Sequence, residues 1–118
     1  MSLQGKRVLV VEDEVLLAMM LEDVLSDAGA YVVGPAATVE QAIALIASEV
    51  IDVALLDVCL RDQRSDPVAE VLRKRGVPYV LATGYSNPQG ADLASAPTLA
   101  KPYRLEQLEA ALLAALQA

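Results

Sequence analysis

The 118-residue sequence contains no histidine, no tryptophan and no phenylalanine, and it has one cysteine, Cys59. Without histidine there is no histidine-dependent nucleophile triad, no histidine general base and no histidine-ligated zinc site. A single cysteine excludes an internal disulfide and a cysteine-cluster metal site, which fits a reducing compartment. Because 55% of the residues are hydrophobic, the chain can still build a full core from Leu, Val, Ile and Ala.

Basic side chains are also scarce, with 9 Lys and Arg against 16 Asp and Glu and a net charge of −7. An acidic surface repels phosphates, so direct binding to DNA or RNA is not expected. No apolar run approaches the roughly 18 residues of a membrane-spanning helix, and we expect no secretory signal. The length suits one domain over residues 1–118, and we expect that domain to be cytoplasmic.

Five short apolar runs predict β-strands: Arg7–Val11, Ala30–Gly34, Asp52–Leu56, Pro78–Ala82 and Thr98–Ala100. Four of them are apolar on both alternating faces, which is typical of parallel strands that helices cover on each side. Helical periodicity separates the runs, and Thr38 with Gln41 has the spacing of a capping box. The alternation of strands and helices predicts an α/β domain with right-handed crossovers. We expect a flavodoxin-like (βα)5 three-layer sandwich, a common arrangement of such units, whose five-stranded parallel sheet has the order 2-1-3-4-5 and places strands 1 and 3 side by side.

One βα unit is abnormal, because the segment between Thr83 and Lys101 contains Pro88, Gly90 and Pro97. Proline and glycine leave room there for at most about two helical turns. The fourth helix of the predicted fold should therefore be short, distorted or absent.

Polar side chains follow four of the predicted strands: Glu12 and Asp13, Asp57, Thr83, and Lys101. In open α/β sheets, functional groups collect just beyond the carboxyl ends of strands. With strands 1 and 3 adjacent, three carboxylates share one crevice, where their repulsion favours a hard divalent cation such as Mg²⁺. Asp57 is then placed to attack a phosphorus atom, while the Lys101 ammonium and the Thr83 hydroxyl compensate charge on the phosphoryl oxygens.

Each of these residues also has an ordinary structural explanation. Acids after the first strand favour the start of a helix, Asp57 suits a loop, and Lys101–Pro102 suits a tight turn. Taken singly, these explanations compete with a functional one. Taken together, they require acids, a hydroxyl and an ammonium group to follow four strands by chance, so the joint pattern favours phosphoryl-transfer chemistry.

Four motifs resemble those of one known family: Val8–Glu14, Val53–Asp57, Leu81–Gly84 and Lys101–Tyr103. Over nearly its whole length the chain is similar to a CheY-like response-regulator receiver domain of two-component signal transduction. The resemblance implies that Asp57 accepts a phosphoryl group from a sensor histidine kinase or phosphotransfer protein, and that Thr83 and Lys101 contact that group.

The same resemblance implies a Mg²⁺ site. Asp13, Asp57 and the backbone carbonyl of Cys59 would bind the ion directly, and Glu12 would bind it through water. Catalysis would be limited to self-catalysed phosphorylation and dephosphorylation at Asp57, so the chain is not expected to be an enzyme in the usual sense.

Residues 78–85 resemble a narrower subgroup that has a Phe-Ala-Thr-Gly-type motif, a reduced fourth helix and often no output domain. This chain departs from most receivers at Thr98, where an aromatic switch residue is usual, so Tyr85 or Tyr103 is a candidate substitute. Residues 61–65 lack the glycine that often follows the phosphoacceptor, which predicts a stiffer loop.

We predict a protein-binding surface that includes Tyr85, Tyr103 and Arg104, on a monomer or weak homodimer.

Three other interpretations remain open from the residues alone. A Mg²⁺-dependent phosphohydrolase would use the same aspartate, although Cys59 stands where such enzymes usually carry a second carboxylate. A receiver domain excised from a hybrid histidine kinase would have the same motifs. A degenerate receiver that only binds partners is the third, and the complete set of acids, Thr83 and Lys101 argues against it.

Overall fold

The computed structural model describes residues 2–60, 63–83, 98–100 and 103–117, with the backbone alone at Thr83, Thr98 and Ala100. The strands in these ranges are β1 (Arg7–Val11), β2 (Tyr31–Ala36), β3 (Val53–Asp57), β4 (Cys59–Leu60), β5 (Gln63–Arg64), β6 (Tyr79–Thr83) and β7 (Thr98–Ala100). The helices in these ranges are α1 (Val15–Asp27), α2 (Val39–Ser48), α3 (Asp66–Lys74) and α4 (Leu105–Gln117). None of these helices has the length and apolar character needed to cross a membrane.

The main sheet has five parallel strands in the order β2-β1-β3-β6-β7. The predicted order 2-1-3-4-5 is confirmed, because the fourth and fifth predicted strands are β6 and β7. The short antiparallel pair of β4 and β5 was not predicted. The predicted reduction of the fourth helix falls on residues 84–97, which lie outside the described residues.

The sheet is buried on both faces, because side chains of alternating residues enter two separate apolar layers. One layer contains Leu9, Val11 and Leu56 together with the buried sides of α2 and α3. The other contains Val8 and Val10 together with the buried sides of α1 and α4. The strand and helix assignments predicted from apolar periodicity therefore produce a three-layer sandwich.

Two details of the helices show how local sequence sets their ends and faces. The Thr38 Oγ1 atom accepts a hydrogen bond from the Gln41 backbone N–H at 3.1 Å, so the predicted capping residue does begin α2. In α1 the buried residues are Ala18, Leu21 and Leu25, and the half-buried Leu17 and Val24 pack against the same layer as Leu21 and Leu25.

Arg7 aligns β1 with β3 at the amino ends of the two strands. Its backbone N–H donates to the Asp52 Oδ2 atom at 2.8 Å, and its Nε–H donates to the Val50 carbonyl at 2.7 Å. The next residues then pair in register, with Val8 opposite Val53. This register determines which residues meet at the other end of both strands.

A register shift in the β1–β2 pairing brings β2 past the end of β1. Leu9 pairs with Val33, but Val11 pairs with Ala36, and Gly34 in the shifted stretch has a φ of +96°. After the shift, the Ala36 carbonyl accepts a hydrogen bond from the Glu12 backbone N–H at 2.9 Å. The irregularity therefore fixes the backbone of the first acidic residue beyond β1.

We predict that Gly34→Ala destabilises the protein by about 2–3 kcal/mol, because L-residues rarely adopt a positive φ and something must move. A Cβ atom there would lie 2.8 Å from the Ala36 nitrogen and 3.1 Å from the Val10 carbonyl oxygen. Urea denaturation measures the loss. The matched control is Gly76→Ala, with a φ of +71° and nothing within 4 Å of the added Cβ. It should cost only about 1 kcal/mol. Equal losses in the two variants would contradict the steric argument.

Candidate functional site

Three carboxylates converge at the carboxyl ends of the two central strands. Glu12 and Asp13 directly follow β1, and Asp57 is the last residue of β3. Because Val11 lies opposite Leu56, the next residues of the two strands come level with each other. One carboxylate oxygen from each of the three residues lies within 4.8 Å of the other two. The predicted meeting of the acids that follow strands 1 and 3 is therefore observed.

Two of these acids are buried, with 3% of Glu12 and 8% of Asp57 exposed to solvent, whereas Asp13 is half-buried. The Glu12 Oε2 atom accepts a hydrogen bond from the Glu14 backbone N–H at 3.1 Å. Glu14 precedes the first turn of α1, where backbone N–H groups favour negative charge. The buried Glu12 side chain is thus held in place by the start of the neighbouring helix.

The donor set fits a hard divalent cation. Like charges this close repel each other unless a proton or a cation compensates them, and burial strengthens the effect. The donors are all carboxylate oxygens, which Mg²⁺ and Ca²⁺ prefer over softer ligands. Glu12, Asp13 and Asp57 are accordingly the residues in the described part of the chain that can hold a metal ion together.

A cavity of about 250 Å³ opens beside the acidic cluster, between α1 and the chain that follows β2. Its lining comprises Glu12, Asp13, Val15, Ala18, Met19, Glu22, Pro35 and Ala37. Val15 and Met19 are exposed over 68% and 56% of their surface. Glu12 and Asp13 therefore border a cavity whose α1 side carries exposed apolar residues.

The chain that leaves Asp57 forms a short hairpin. In the β4–β5 pair, Cys59 lies opposite Arg64 and Leu60 lies opposite Gln63. The Cys59 thiol is exposed, whereas Leu60 is buried in the same layer as α2 and α3. A stiff loop was predicted from the missing glycine, but the antiparallel pairing was not, because two residues per strand leave no periodicity to detect.

The backbone brings Thr83 near the acids, on the strand beside Asp57. Asp57 pairs with Ala82 in β6, and Thr83 is the next residue. Thr83 in turn pairs with Ala100, the last residue of β7. Lys101, which follows Ala100 in the chain, lies outside the described residues, as does the side chain of Thr83, so their predicted roles stay predictions.

The candidate surface residues are divided in the same way. Tyr103 is half-buried and packs against the layer that contains α4, and Arg104 is exposed just before that helix. Tyr85 and the side chain of Thr98 lie outside the described part of the chain. Their predicted share in a switch is therefore untested.

One buried polar residue near the site was missed by sequence reasoning, and that residue is Ser65. It is fully buried, and it hydrogen-bonds to the residue that follows Asp57. The only sequence signal was its place before Asp66–Pro67, which suggests the start of a helix and nothing about the site.

Comparison with known families agrees with this fold and site. Residues 8–113 match the model of the response regulator receiver domain. The chain therefore belongs to the response-regulator receiver domains, the CheY-like proteins of two-component signalling. A receiver domain is a phosphoacceptor rather than a classical enzyme.

Individual relatives support the same assignment. The solution structure of SdrG from Sphingomonas melonis Fr1 is 41% identical, covers 100% of both chains and has a TM-score of 0.81. A structure described as the BeF3-activated conformation of SdrG from Pseudomonas melonis Fr1 is also 41% identical, covers 98% of both chains and has a TM-score of 0.80. The transcriptional regulatory protein PdtaR of Mycobacterium tuberculosis is 31% identical over 108 residues, 87% of this chain and 53% of PdtaR. The chain thus spans about half the length of the curated relatives that it matches.

We predict that Asp57→Asn stabilises the cation-free protein by about 1–3 kcal/mol, because it removes one of three mutually repelling charges. Thermal unfolding in the presence of a chelator measures the change. Added Mg²⁺ should then raise the melting temperature of the original protein more than that of the variant. Asp23→Asn, at an exposed position of α1, is the control and should change neither value. A cation-free Asp57→Asn protein that is no more stable than the original would contradict the repulsion.

Proposed function

We propose that Asp57 accepts a phosphoryl group from a histidine kinase or a phosphotransfer protein, and that Mg²⁺ is required. The observation that carries this proposal is the convergence of Glu12, Asp13 and Asp57 at the ends of adjacent strands. Asp57 is the acid on the central strand β3, between β1 and β6. It is therefore the carboxylate flanked both by the other acids and by the strand that carries Thr83.

The proposed metal ligands are Asp13, Asp57 and the backbone carbonyl of Cys59, with Glu12 acting through a water molecule. When bound, Mg²⁺ would neutralise the carboxylates and draw charge from a phosphoryl oxygen. Glu12, which is held by the Glu14 N–H, would orient the water that it shares with the ion. Asp13 is the more exposed of the two acids that follow β1, which suits a direct ligand at the solvent side.

In the transfer step, an Asp57 carboxylate oxygen attacks the phosphorus atom of a phosphohistidine. The new P–O bond forms as the P–N bond breaks, and the released imidazole nitrogen takes up a proton from solvent. In this scheme, the Thr83 hydroxyl and the Lys101 ammonium would each take one of the remaining phosphoryl oxygens.

The similarity to SdrG supports this function. SdrG, which is 41% identical over 98% of this chain, has a BeF3-activated conformation. Beryllofluoride mimics a phosphoryl group on a carboxylate, so activation of that relative is in line with an aspartyl-phosphate signal. We extend the same signal to Asp57 in this chain.

We further propose that phosphorylation changes a protein-binding surface that includes Tyr85, Tyr103 and Arg104. Arg104 is exposed, and its backbone N–H donates to the Gln107 Oε1 atom at 2.7 Å, which fixes the start of α4. Tyr103 precedes it and reaches the core layer beside α4. Lys101 lies three residues before Arg104 in the sequence, so we expect a change at Lys101 to reach the start of this helix.

Incubation with a small phosphodonor and Mg²⁺ should add one phosphoryl group that base or hydroxylamine removes, because both nucleophiles attack a carboxyl phosphate. Intact-mass spectrometry measures this addition. Asp57→Asn should acquire none, and a chelator should prevent labelling of the original protein. Asp23→Asn is the control and should be labelled normally. Labelling of Asp57→Asn to the same extent would rule out Asp57 as the acceptor.

Beryllofluoride with Mg²⁺ should shift the backbone amide resonances of Tyr103 and Arg104, because the proposed surface responds to the phosphoryl group. Heteronuclear NMR measures these shifts. The amides of Gly5 and Asp52, near the amino ends of β1 and β3, should move little. Shifts confined to the acidic cluster would contradict the proposed surface and leave the phosphoacceptor role intact.

A further inference from the structure

Ser65 shares an unusual property with the two buried acids of the site. In the described part of the chain, the buried polar or charged residues are Glu12, Asp57 and Ser65. Glu12 and Asp57 belong to the acidic cluster, and Ser65 has 0% of its surface exposed. Burying a hydroxyl group costs free energy unless it is hydrogen-bonded, so the partner of Ser65 indicates what the residue does.

That partner is the carbonyl group of Val58, the residue that follows Asp57. The Ser65 Oγ–H donates to the Val58 carbonyl at 3.0 Å, and the Ser65 backbone N–H donates to the same oxygen at 2.9 Å. The Val58 backbone N–H in turn donates to the Ala82 carbonyl of β6 at 3.1 Å. The residue that follows Asp57 is thus held on one side by the sheet and on the other by Ser65.

The Ser65 hydroxyl is not used for the task that its position suggests. Ser65 is the residue before α3, where serine usually accepts a hydrogen bond from a backbone N–H of the first turn. Its side chain makes no such bond, and its hydroxyl turns towards Val58 instead. The start of α3 is stabilised by the Ser65 carbonyl, which accepts from the Val68 and Ala69 N–H groups at 2.9 and 3.1 Å.

The two bonds to Val58 close the hairpin that contains Cys59. Residues 58 and 65 are joined at its base, and the β4–β5 pairing lies inside it. The Cys59 carbonyl is one peptide away from the Val58 carbonyl, which accepts both hydrogen bonds from Ser65. A displacement of Val58 would therefore move its two neighbours in the chain, and with them the Asp57 carboxylate and the Cys59 carbonyl.

We propose that Ser65 is a positioning residue, whose hydroxyl keeps Asp57 and the Cys59 carbonyl directed at one shared divalent cation. This inference rests on the proposed function, since it requires a metal ion bound by both groups. A purely structural role is the alternative. It is separable by experiment, because the Ser65 backbone N–H still closes the hairpin when the hydroxyl is removed, and α3 stays anchored by Val68 and Leu72, both fully buried.

The test is direct Mg²⁺ binding, measured without any phosphodonor by calorimetry or NMR titration. Ser65→Ala should weaken the affinity about tenfold, in the range found when groups that orient metal ligands are removed. Ser65→Thr retains the hydroxyl and should recover most of the affinity. Val68→Ala is the matched control, because it removes buried packing from the same helix and should lower the melting temperature without changing Mg²⁺ affinity.

Three results would be informative against the proposal. If Ser65→Ala binds Mg²⁺ as tightly as the original protein, Ser65 has no positioning role. If Val68→Ala weakens binding as much as Ser65→Ala does, lost stability explains both effects and the proposal is overturned. If the original protein itself binds no Mg²⁺, the proposed function fails, and that outcome is distinct from a failure of Ser65 alone.

A measurement on the unaltered protein covers the case in which Ser65→Ala does not fold. The backbone amides of Val58, Cys59 and Ser65 should shift together as Mg²⁺ is added, because they share one hydrogen-bonded unit. The amide of Gly76, beyond the other end of α3, should not shift. A Ser65 amide that stays unchanged while those of Asp57 and Cys59 respond would overturn the proposal.

Discussion

Electrostatic repulsion among Glu12, Asp13 and Asp57 is the constraint around which this domain is built. The parallel pairing of β1 with β3 brings these carboxylate oxygens within 4.8 Å of one another, and two of the three side chains are buried. Nothing in a hydrophobic core favours such an arrangement. Burial of apolar side chains on both faces of the sheet offsets this repulsion. The same burial fixes the strands, whatever residues lie at their ends.

Those layers are made mainly of small and aliphatic side chains, because the chain has no Phe and no Trp and Tyr79 is the aromatic residue buried in the layer with α2 and α3, within the described residues. Alternating residues of β1, β3 and β6 enter one layer with α2 and α3, and the others enter a second layer with α1 and α4. Core packing of this kind is dense and resists small displacements. It is a rigid support for a site in which tenths of an ångström decide how well a cation is bound.

Close to the acids, the backbone is held by irregular features rather than by regular strands. The register shift at Gly34 carries β2 past β1 and fixes the Glu12 backbone. On the other side of the cluster, Ser65 and Ala82 fix Val58, the residue after Asp57. Both features hold the backbone beside a carboxylate, so the positions of Glu12 and Asp57 at the site are set by main-chain hydrogen bonds.

Much of this arrangement can be predicted from the sequence. Apolar runs on both alternating faces predicted the parallel sheet, and strand order then placed Glu12 and Asp13 beside Asp57. These inferences succeed because the period of a strand and the direction of a parallel sheet follow from local geometry. The family motifs around the same residues lead to the same site, and comparison with known receiver domains agrees with them.

The remaining features depend on contacts between residues that are distant in the chain. The bulge at Gly34 and the β4–β5 hairpin follow from packing, which no local pattern specifies. Ser65 is the clearest case: before Asp66–Pro67 its sequence context predicts a helix cap, yet its hydroxyl bonds to Val58. The sequence by itself determined the parallel strands and the acids at their carboxyl ends, because both follow from periodicity and strand direction. The meeting of the three acids also required β1 and β3 to be neighbours, which the doubly wound fold type led us to expect and the sheet shows. Only the tertiary structure decided how the backbone beside each acid is held, because those hydrogen bonds form once the layers have packed.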